Sequence, residues 1–183
     1  MIIMLYFHIE LKEKLKSDYQ IQKSVSDKKY YKIENGLYSD QEYVNPLEII
    51  LKKYPNAIFT SDSAYYYYDL TDVVPDYFYL ATKRTDSRIN DKNIKQVFIP
   101  NELFEFGKTQ IEVENIKINI YDEERMLVEL IRKKNIIPFD YYKEIITSYR
   151  KKVDILDIYK IQEYISYYKN ESSLYETLMR EVF

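Results

Sequence analysis

The chain has no cysteine, one histidine and two glycines among its 183 residues. Without cysteine it cannot form disulfides, thiolate nucleophiles or cysteine-ligated zinc sites. His8 stands alone, so we exclude the usual histidine-based triads and multi-histidine metal sites. Gly36 and Gly107 are too few for a Walker loop or a glycine-rich dinucleotide turn. These absences exclude the common cofactor enzymes. We predict that the protein is not an enzyme, and we name no catalytic residue, no cofactor and no metal ligand.

The overall charge is close to neutral, with a formal net charge of -3. Whole-chain charge therefore points to neither nucleic acid nor membrane, and only local charge can inform on partners. The opening MIIMLYFHIELKEK has no basic leader and no small-residue cleavage site, and its apolar run is too short to span a bilayer. We expect a cytoplasmic protein without membrane contact.

The first forty residues predict two short helices followed by a hairpin. Ile9, Leu11 and Leu15 recur at near-helical spacing, and a second helix over 19–25 can start at Ser17 or Asp18. Short β-prone runs then surround Glu34-Asn35-Gly36, a strong hairpin signal. We predict a reduced winged-helix module over residues 1–42 and a larger domain over 43–183.

The larger domain is predicted to mix strands and helices and to end in helices, so the fold class is α+β. Asn45 is expected to cap a helix that has Pro46 in its first turn. Strands are predicted over 57–59, 77–81 and 95–99, with a helix over 61–68 and a hairpin turning at Glu114-Asn115. Helices are predicted from residue 122 onward, including 139–149, 155–168 and 173–182.

The N-terminal module offers a candidate DNA-binding face. If Ile21 and Val25 of the second helix pack inward, a polar set faces outward. Glutamine can pair with adenine, and lysine can contact guanine or phosphate. The candidate DNA-binding residues are Tyr19, Gln20, Gln22 and Lys23 on the helix, with Lys28, Lys29 and Lys32 flanking the hairpin wing. The alternative is a small capping subdomain that binds nothing.

The run of four tyrosines from Tyr65 to Tyr68 has two interpretations. Helical spacing puts Ala64, Tyr67 and Tyr68 on one side, while Tyr65 and Tyr66 point elsewhere, so at least one ring should be partly exposed. We favour core aromatics beneath a small sheet over a partner-binding tyrosine patch.

Two further patterns have structural and functional alternatives. Asp76, Glu114 and Lys117 loosely suggest a magnesium nuclease, but Glu114 and Lys117 would face opposite sides of a strand. Basic residues at predicted helix C-termini are explained by the helix dipole, although a shared phosphate-binding face is the alternative. These residues are Arg132, Lys133, Lys134, Arg150, Lys151 and Lys152. We also interpret Glu124-Arg125 as a structural ion pair.

Several segments, taken in order, resemble the AbiEi family of abortive-infection antitoxins, the antitoxin half of type IV toxin-antitoxin systems. The segments are YYKIENGLYS, YPNAIFTSDSAYYYYDLTDVVPDYFYLAT, IKINIYDEERMLVELIRKKN and ITSYRKKVDILDIYKIQEY. The match runs from about Glu10 through nearly the whole chain. Asp69 stands where the family pattern has glycine, and family members usually begin with a fuller winged helix.

The resemblance implies a phage-defence function with two activities. The N-terminal module would bind inverted repeats in its own promoter as a transcriptional regulator. The C-terminal domain would counteract a nucleotidyltransferase-like toxin without requiring a stable complex. We expect a monomer or a weak dimer, and our candidate for the antitoxin surface is the cationic loop residues Lys83, Arg84, Arg88 and Lys92. The alternatives are a stand-alone regulator or protein-binding module without a toxin, and a magnesium nuclease.

Overall fold

The computed structural model describes residues 3–183, which form both helices and strands. The chain divides into two units, one ending at Pro55 and the other comprising Asn56–Phe183. Both units contain helices and strands, so the fold is α+β. The division falls later than the boundary that we predicted after residue 42, because the helix that follows that point belongs to the first unit.

The first unit combines short helices with a three-stranded sheet. Its elements, in chain order, are β1 (Leu5–Phe7), α1 (His8–Leu15), α2 (Asp18–Ser26), β2 (Tyr31–Glu34), β3 (Leu37–Ser39) and α3 (Pro46–Lys53). The sheet has the order β1-β3-β2, and both pairings are antiparallel. The sequence did not predict β1, since three residues are too few to show a period of two.

Helix α3 is held within the first unit by buried apolar residues and two ion pairs. Asn45 caps it, accepting a hydrogen bond from the Leu47 N–H at 2.9 Å, and Pro46 occupies its first turn as predicted. Its lysines then reach two other elements of the unit. Lys52 Nζ lies 2.7 Å from Glu10 Oε2 on α1, and Lys53 Nζ lies 2.8 Å from Glu34 Oε1 on β2.

The second unit combines a five-stranded sheet with α-helices. One α-helix lies between the first two strands of the unit, and the others follow the last strand. Its elements are β4 (Ile58–Phe59), α4 (Ser61–Tyr67), β5 (Phe78–Lys83), β6 (Ile94–Ile99), β7 (Lys108–Val113), β8 (Ile116–Tyr121), α5 (Glu123–Arg132), α6 (Phe139–Lys151), α7 (Ile158–Ser166) and α8 (Glu171–Glu181). The strand order is β6-β5-β4-β8-β7. Pairs β4–β8 and β5–β6 are parallel, and the other two are antiparallel.

Helix α7 starts later than the sequence predicted. A 3₁₀ turn covers Val153–Ile155, and α7 begins at Ile158 because the Asp157 carboxylate accepts a hydrogen bond from the Tyr159 N–H at 3.0 Å. Helices α6 and α8 lie within two residues of their predicted starts and ends. Over residues 3–183, no helix is both long and apolar enough to cross a membrane.

Tyrosine hydroxyl groups from several helices converge on the junction between β8 and α5, which we call the tyrosine hub (residues 121–126). The hydroxyls donate from Tyr68 to the Tyr121 carbonyl (2.9 Å), from Tyr164 to Asp122 Oδ2 (2.7 Å), from Tyr149 to the Glu123 carbonyl (2.9 Å) and from Tyr65 to the Met126 carbonyl (3.3 Å). Burying a hydroxyl without a hydrogen-bond partner costs free energy. Each of these bonds therefore favours one position of the helix that carries the tyrosine. The start of α5 therefore organises the second unit.

Of the four consecutive tyrosines one is a core residue and three are half-buried, so the interpretation that we favoured holds fully only for Tyr65. Tyr65 is 2% exposed, and burial raises its pKa well above the ordinary value. The Tyr67 ring packs edge-on against Phe59 with centroids 5.4 Å apart. Our prediction that Tyr65 would point away from the packed side was wrong, since α4 buries a wider arc than one stripe. Tyr66, Tyr67 and Tyr68 are half-buried.

Arg125 is a buried cation, and it does not form the ion pair with Glu124 that the sequence suggested. It is 4% exposed, its guanidinium lies 3.5 Å from the centre of the Tyr121 ring, and it donates to the carbonyl oxygens of Leu103 and Phe106. Gly107 adjoins it with φ +69, and a Cβ there would lie 3.0 Å from Arg125 Cδ. Both the backbone conformation and the space require glycine at this position.

We expect Tyr149→Phe to lower the free energy of unfolding by about 1 kcal/mol, because it leaves the fully buried ring in place and removes one hydrogen bond to the tyrosine hub. Urea denaturation followed by circular dichroism measures the change. Tyr159→Phe is the matched control, since Tyr159 is 80% exposed. Equal stability of the two variants would show that the hub bond contributes nothing.

Candidate nucleic-acid interface

Helix α2 forms where its capping signals predicted it. Ser17 is extended and its hydroxyl accepts a hydrogen bond from the Gln20 N–H at 3.2 Å, as an N-cap does. Lys16 takes a left-handed conformation with φ 73 and ends α1, which separates the two helices by a tight turn. The chain thus presents a helix, a turn and a second helix.

The inward side of α2 differs in one position from our prediction. Ile21 is buried as expected, whereas Val25 is only half-buried and Ser24 takes the second buried position. Ser24 is accommodated because its hydroxyl donates to the Ile21 carbonyl oxygen at 2.8 Å. The buried side is therefore rotated slightly toward Ser24.

The outward side of α2 has the composition that the sequence predicted. Tyr19 is 69% exposed, and Gln20, Gln22 and Lys23 are also exposed. Within the described part of the chain, their side chains make no hydrogen bond, ion pair or ring contact. An aromatic ring, two amides and an ammonium are thus displayed together on one short helix without internal partners.

The three remaining candidate lysines are exposed, but only Lys32 is part of the hairpin. Lys28 and Lys29 lie in the turn between α2 and β2, where Lys28 adopts φ 54. Lys32 lies on β2 opposite Tyr38, and a bulge follows it. The tip of the wing is only Asn35-Gly36, and Gly36 has φ +81. The lysines therefore adjoin the end of α2 more than the wing tip.

Ion pairing within the first unit makes its charge distribution uneven. Glu10, Asp18 and Glu34 pair with Lys52, Lys12 and Lys53 respectively, at 2.6–2.8 Å. By contrast, no ion pair within residues 3–183 involves Lys23, Lys28, Lys29 or Lys32. Counting charges along the sequence cannot show which acidic side chains are paired with which lysines. The cations at the end of α2 remain available for phosphate.

The four residues proposed as an antitoxin surface lie on or next to the β5–β6 connection. Lys83 ends β5 with its Nζ 5.5 Å from the centre of the Phe104 ring, while Arg84, Arg88 and Lys92 are exposed. We expected this loop to be mobile, yet Gln96 anchors it. The side chain of Gln96 donates to Ser87 O at 3.0 Å and accepts from the Ile89 N–H at 2.7 Å.

The basic residues near the ends of α5 and α6 mostly serve internal contacts. Arg132 pairs with Glu129 at 2.8 Å, and Lys134 pairs with Glu181. Lys152 pairs with Glu123 at 2.9 Å. These contacts favour the structural interpretation of the basic groups over a shared phosphate-binding face.

The residues considered for a magnesium nuclease do not form a metal site. Asp76 lies in the loop before β5, and Glu114 lies in the β7–β8 turn with φ 51. Throughout residues 3–183, no group of three or more histidine, aspartate or glutamate side chains is arranged to hold a metal ion. The geometry therefore lends no support to the nuclease alternative.

Comparison with known proteins adds no family assignment. No protein-family model matches the chain, and no curated protein is significantly similar to it.

We expect Glu10→Gln to destabilise the protein by about 0.2–1 kcal/mol at about pH 7, the usual range for an exposed ion pair. The hydrogen bond from Lys52 lowers the pKa of Glu10, so the stabilisation is present above the ordinary carboxylate pKa and is lost as the pH falls through the lowered value. Urea denaturation at neutral and acidic pH should show a difference that disappears in acid.

Glutamine at position 10 can still accept the hydrogen bond that the Phe7 N–H donates to Glu10, so the variant isolates the charge. Glu13→Gln on the same helix is the control, because Glu13 is exposed and makes no ion pair among the described residues. A loss of stability that persists unchanged in acid would contradict the assignment.

Proposed function

We propose that this chain is a cytoplasmic, non-enzymatic antitoxin of the abortive-infection type. Its first unit binds inverted repeats in the promoter of its own operon. Its second unit counteracts a nucleotidyltransferase-like toxin without needing a stable complex. DNA binding rests on the geometry of the first unit, and the antitoxin activity rests on the family resemblance of the sequence.

The outward face of α2 is the observation that carries the DNA-binding proposal. Gln20 and Gln22 can form bidentate hydrogen bonds with adenine in the major groove, and Lys23 can contact guanine or phosphate. Tyr19 can pack against a sugar or a thymine methyl group. All four side chains are exposed and have no partner within residues 3–183, so they are accessible to a DNA partner.

The topology of the first unit supports the same proposal. Two helices join β1 to β2, and the β2–β3 hairpin returns so that β3 lies between them. This order of elements is the one a winged helix uses when its second helix enters the major groove and its hairpin touches the backbone. Helix α3 follows the hairpin, so only α1 and α2 precede the wing, fewer helices than the family resemblance led us to expect there.

A stand-alone regulator without a toxin is the second candidate, because the features of α2 support it equally well. A stand-alone regulator would have no toxin gene in its operon, and its second unit would not counteract a toxin. A toxin gene for a nucleotidyltransferase beside this one would favour the antitoxin. Failure of the chain to relieve any such toxin would favour the regulator.

We expect the protein to bind the DNA upstream of its own gene more tightly than scrambled DNA of equal length, with affinity falling as salt rises. Replacing Lys28 and Lys29 together by alanine should weaken both complexes and reduce the salt slope by about 2, since each phosphate contact contributes about 0.9. Gln22→Ala should instead lower the preference for the promoter by about tenfold and leave the slope unchanged.

Lys117→Ala is the control for these DNA measurements, because Lys117 is an exposed lysine of the second unit. It should bind as the unaltered protein does. Unchanged promoter binding by Gln22→Ala combined with Lys23→Ala would show that α2 is not the recognition helix.

We expect co-expression of the protein to restore growth of cells that produce the adjacent toxin. Alanine at Lys83, Arg84, Arg88 and Lys92 should reduce that rescue if the cationic loop is the antitoxin surface, while promoter binding stays intact. Rescue at the full level by this variant would exclude the loop as the antitoxin surface.

Incubation with plasmid and Mg²⁺, with Asp76→Ala for comparison, tests the nuclease alternative separately.

A further inference from the structure

His8 lies where several elements of the first unit meet. It is the first residue of α1, and its backbone N–H donates to the Gly36 carbonyl oxygen at the hairpin tip at 2.8 Å. Its ring centroid lies 6.3 Å from that of Tyr38 on β3. Its Nε2 lies 3.0 Å from Oδ1 of Asp18, in the first turn of α2. One side chain thus connects α1 to both parts of the candidate DNA-binding face.

Two side chains of α1 contact the Asp18 carboxylate. Lys12, one helical turn after His8, places its Nζ 2.6 Å from the other carboxylate oxygen. Residues four apart on a helix share a face, so His8 and Lys12 hold the two oxygens from the same side. This contact fixes the start of α2 relative to α1, just before Tyr19 and Gln20.

The two protonation states of His8 differ in what they offer Asp18. A protonated ring donates from both nitrogens and carries a positive charge, so the contact is an ion pair. A neutral ring offers at most an uncharged hydrogen bond. The other titratable groups named around His8 are Lys12 on α1, Asp18 on α2 and Tyr38 on β3.

We propose that His8 is a positioning residue that couples DNA binding by α2 to pH, with the protonated ring bridging Asp18 as the form that binds DNA more tightly. The inference rests on the proposed DNA-binding function. Two effects act in the same direction. Protonation strengthens the hold on the start of α2, and it adds a positive charge near the DNA-facing helix, which phosphate favours.

The composition of the chain makes the proposal easy to test. Histidine is the side chain type whose charge ordinarily changes between about pH 5 and 8, and His8 is the only histidine in a chain without cysteine. Promoter affinity should rise about two- to fivefold from about pH 8 to about pH 6 at constant salt, the range expected for one partly exposed ion pair. Fluorescence anisotropy with labelled promoter DNA measures it.

Four variants separate the proposed mechanism from a general charge effect. His8→Gln should bind with no rise at low pH, and Asp18→Asn should show a smaller rise, because its His8 ring still gains a positive charge but loses the ion pair. His8→Lys should bind at all pH values about as tightly as the unaltered protein does at about pH 6. Asp27→Asn removes an exposed acid at the other end of α2. It should raise affinity at every pH and keep the rise. Melting curves confirm that each variant is folded.

The outcomes distinguish this inference from the function on which it rests. Promoter binding that is flat with pH, or that rises equally in His8→Gln, overturns the role of His8 while the DNA-binding proposal stands. The absence of promoter binding at every pH and salt overturns both. A rise present in the unaltered protein and in Asp27→Asn, smaller in Asp18→Asn and absent from His8→Gln, supports the coupling. A rise of full size in Asp18→Asn overturns the bridge to Asp18.

Discussion

The second unit depends on how it satisfies the hydroxyl groups of its own core. Tyrosine contributes a large apolar ring, but it brings a polar group that cannot be left unpaired inside the protein. The tyrosine hub meets this requirement at one place. Tyrosine hydroxyl groups on α4, α6 and α7, and that of Tyr68 just after α4, all donate hydrogen bonds to the junction of β8 and α5. Carbonyl and carboxylate oxygens there accept the bonds. The same junction holds Arg125, whose guanidinium satisfies two further carbonyl groups beside the Tyr121 ring.

The first unit differs from the second, because it is small and rich in charged residues. Glu10 on α1, Asp18 on α2 and Glu34 on β2 are each paired with a cation inside the unit, which connects its elements and offsets the negative charge of these three residues. The lysines at the end of α2 have no such partners among the described residues. Internal ion pairing therefore decides which surface remains positive, and a nearly neutral sequence acquires a cationic side.

Local signals in the sequence predicted much of the fold. Ser17, Asn45, the Asn35-Gly36 turn and the Glu114-Asn115 turn all lie where capping and turn chemistry placed them, because such signals act over three or four residues. Long-range pairing was not predictable. Nothing in the spacing of Glu10 and Lys52 shows that they meet, and for this reason the boundary that we predicted precedes helix α3, whereas the division into two units follows it. The exposed residues of α2 were predicted because helical periodicity alone determines them, whereas the ion pairs behind that face were not.

The tyrosine hub also has a consequence for the order in which the protein matures on the ribosome. Its hydrogen bonds join residues 26 to 61 positions apart, and the last donor to be synthesised is Tyr164. Contacts of such long sequence separation form slowly, because the loop between them must close first. The elements of the first unit all precede Asn56. The ribosome therefore synthesises the surface proposed for DNA before any residue of the tyrosine hub.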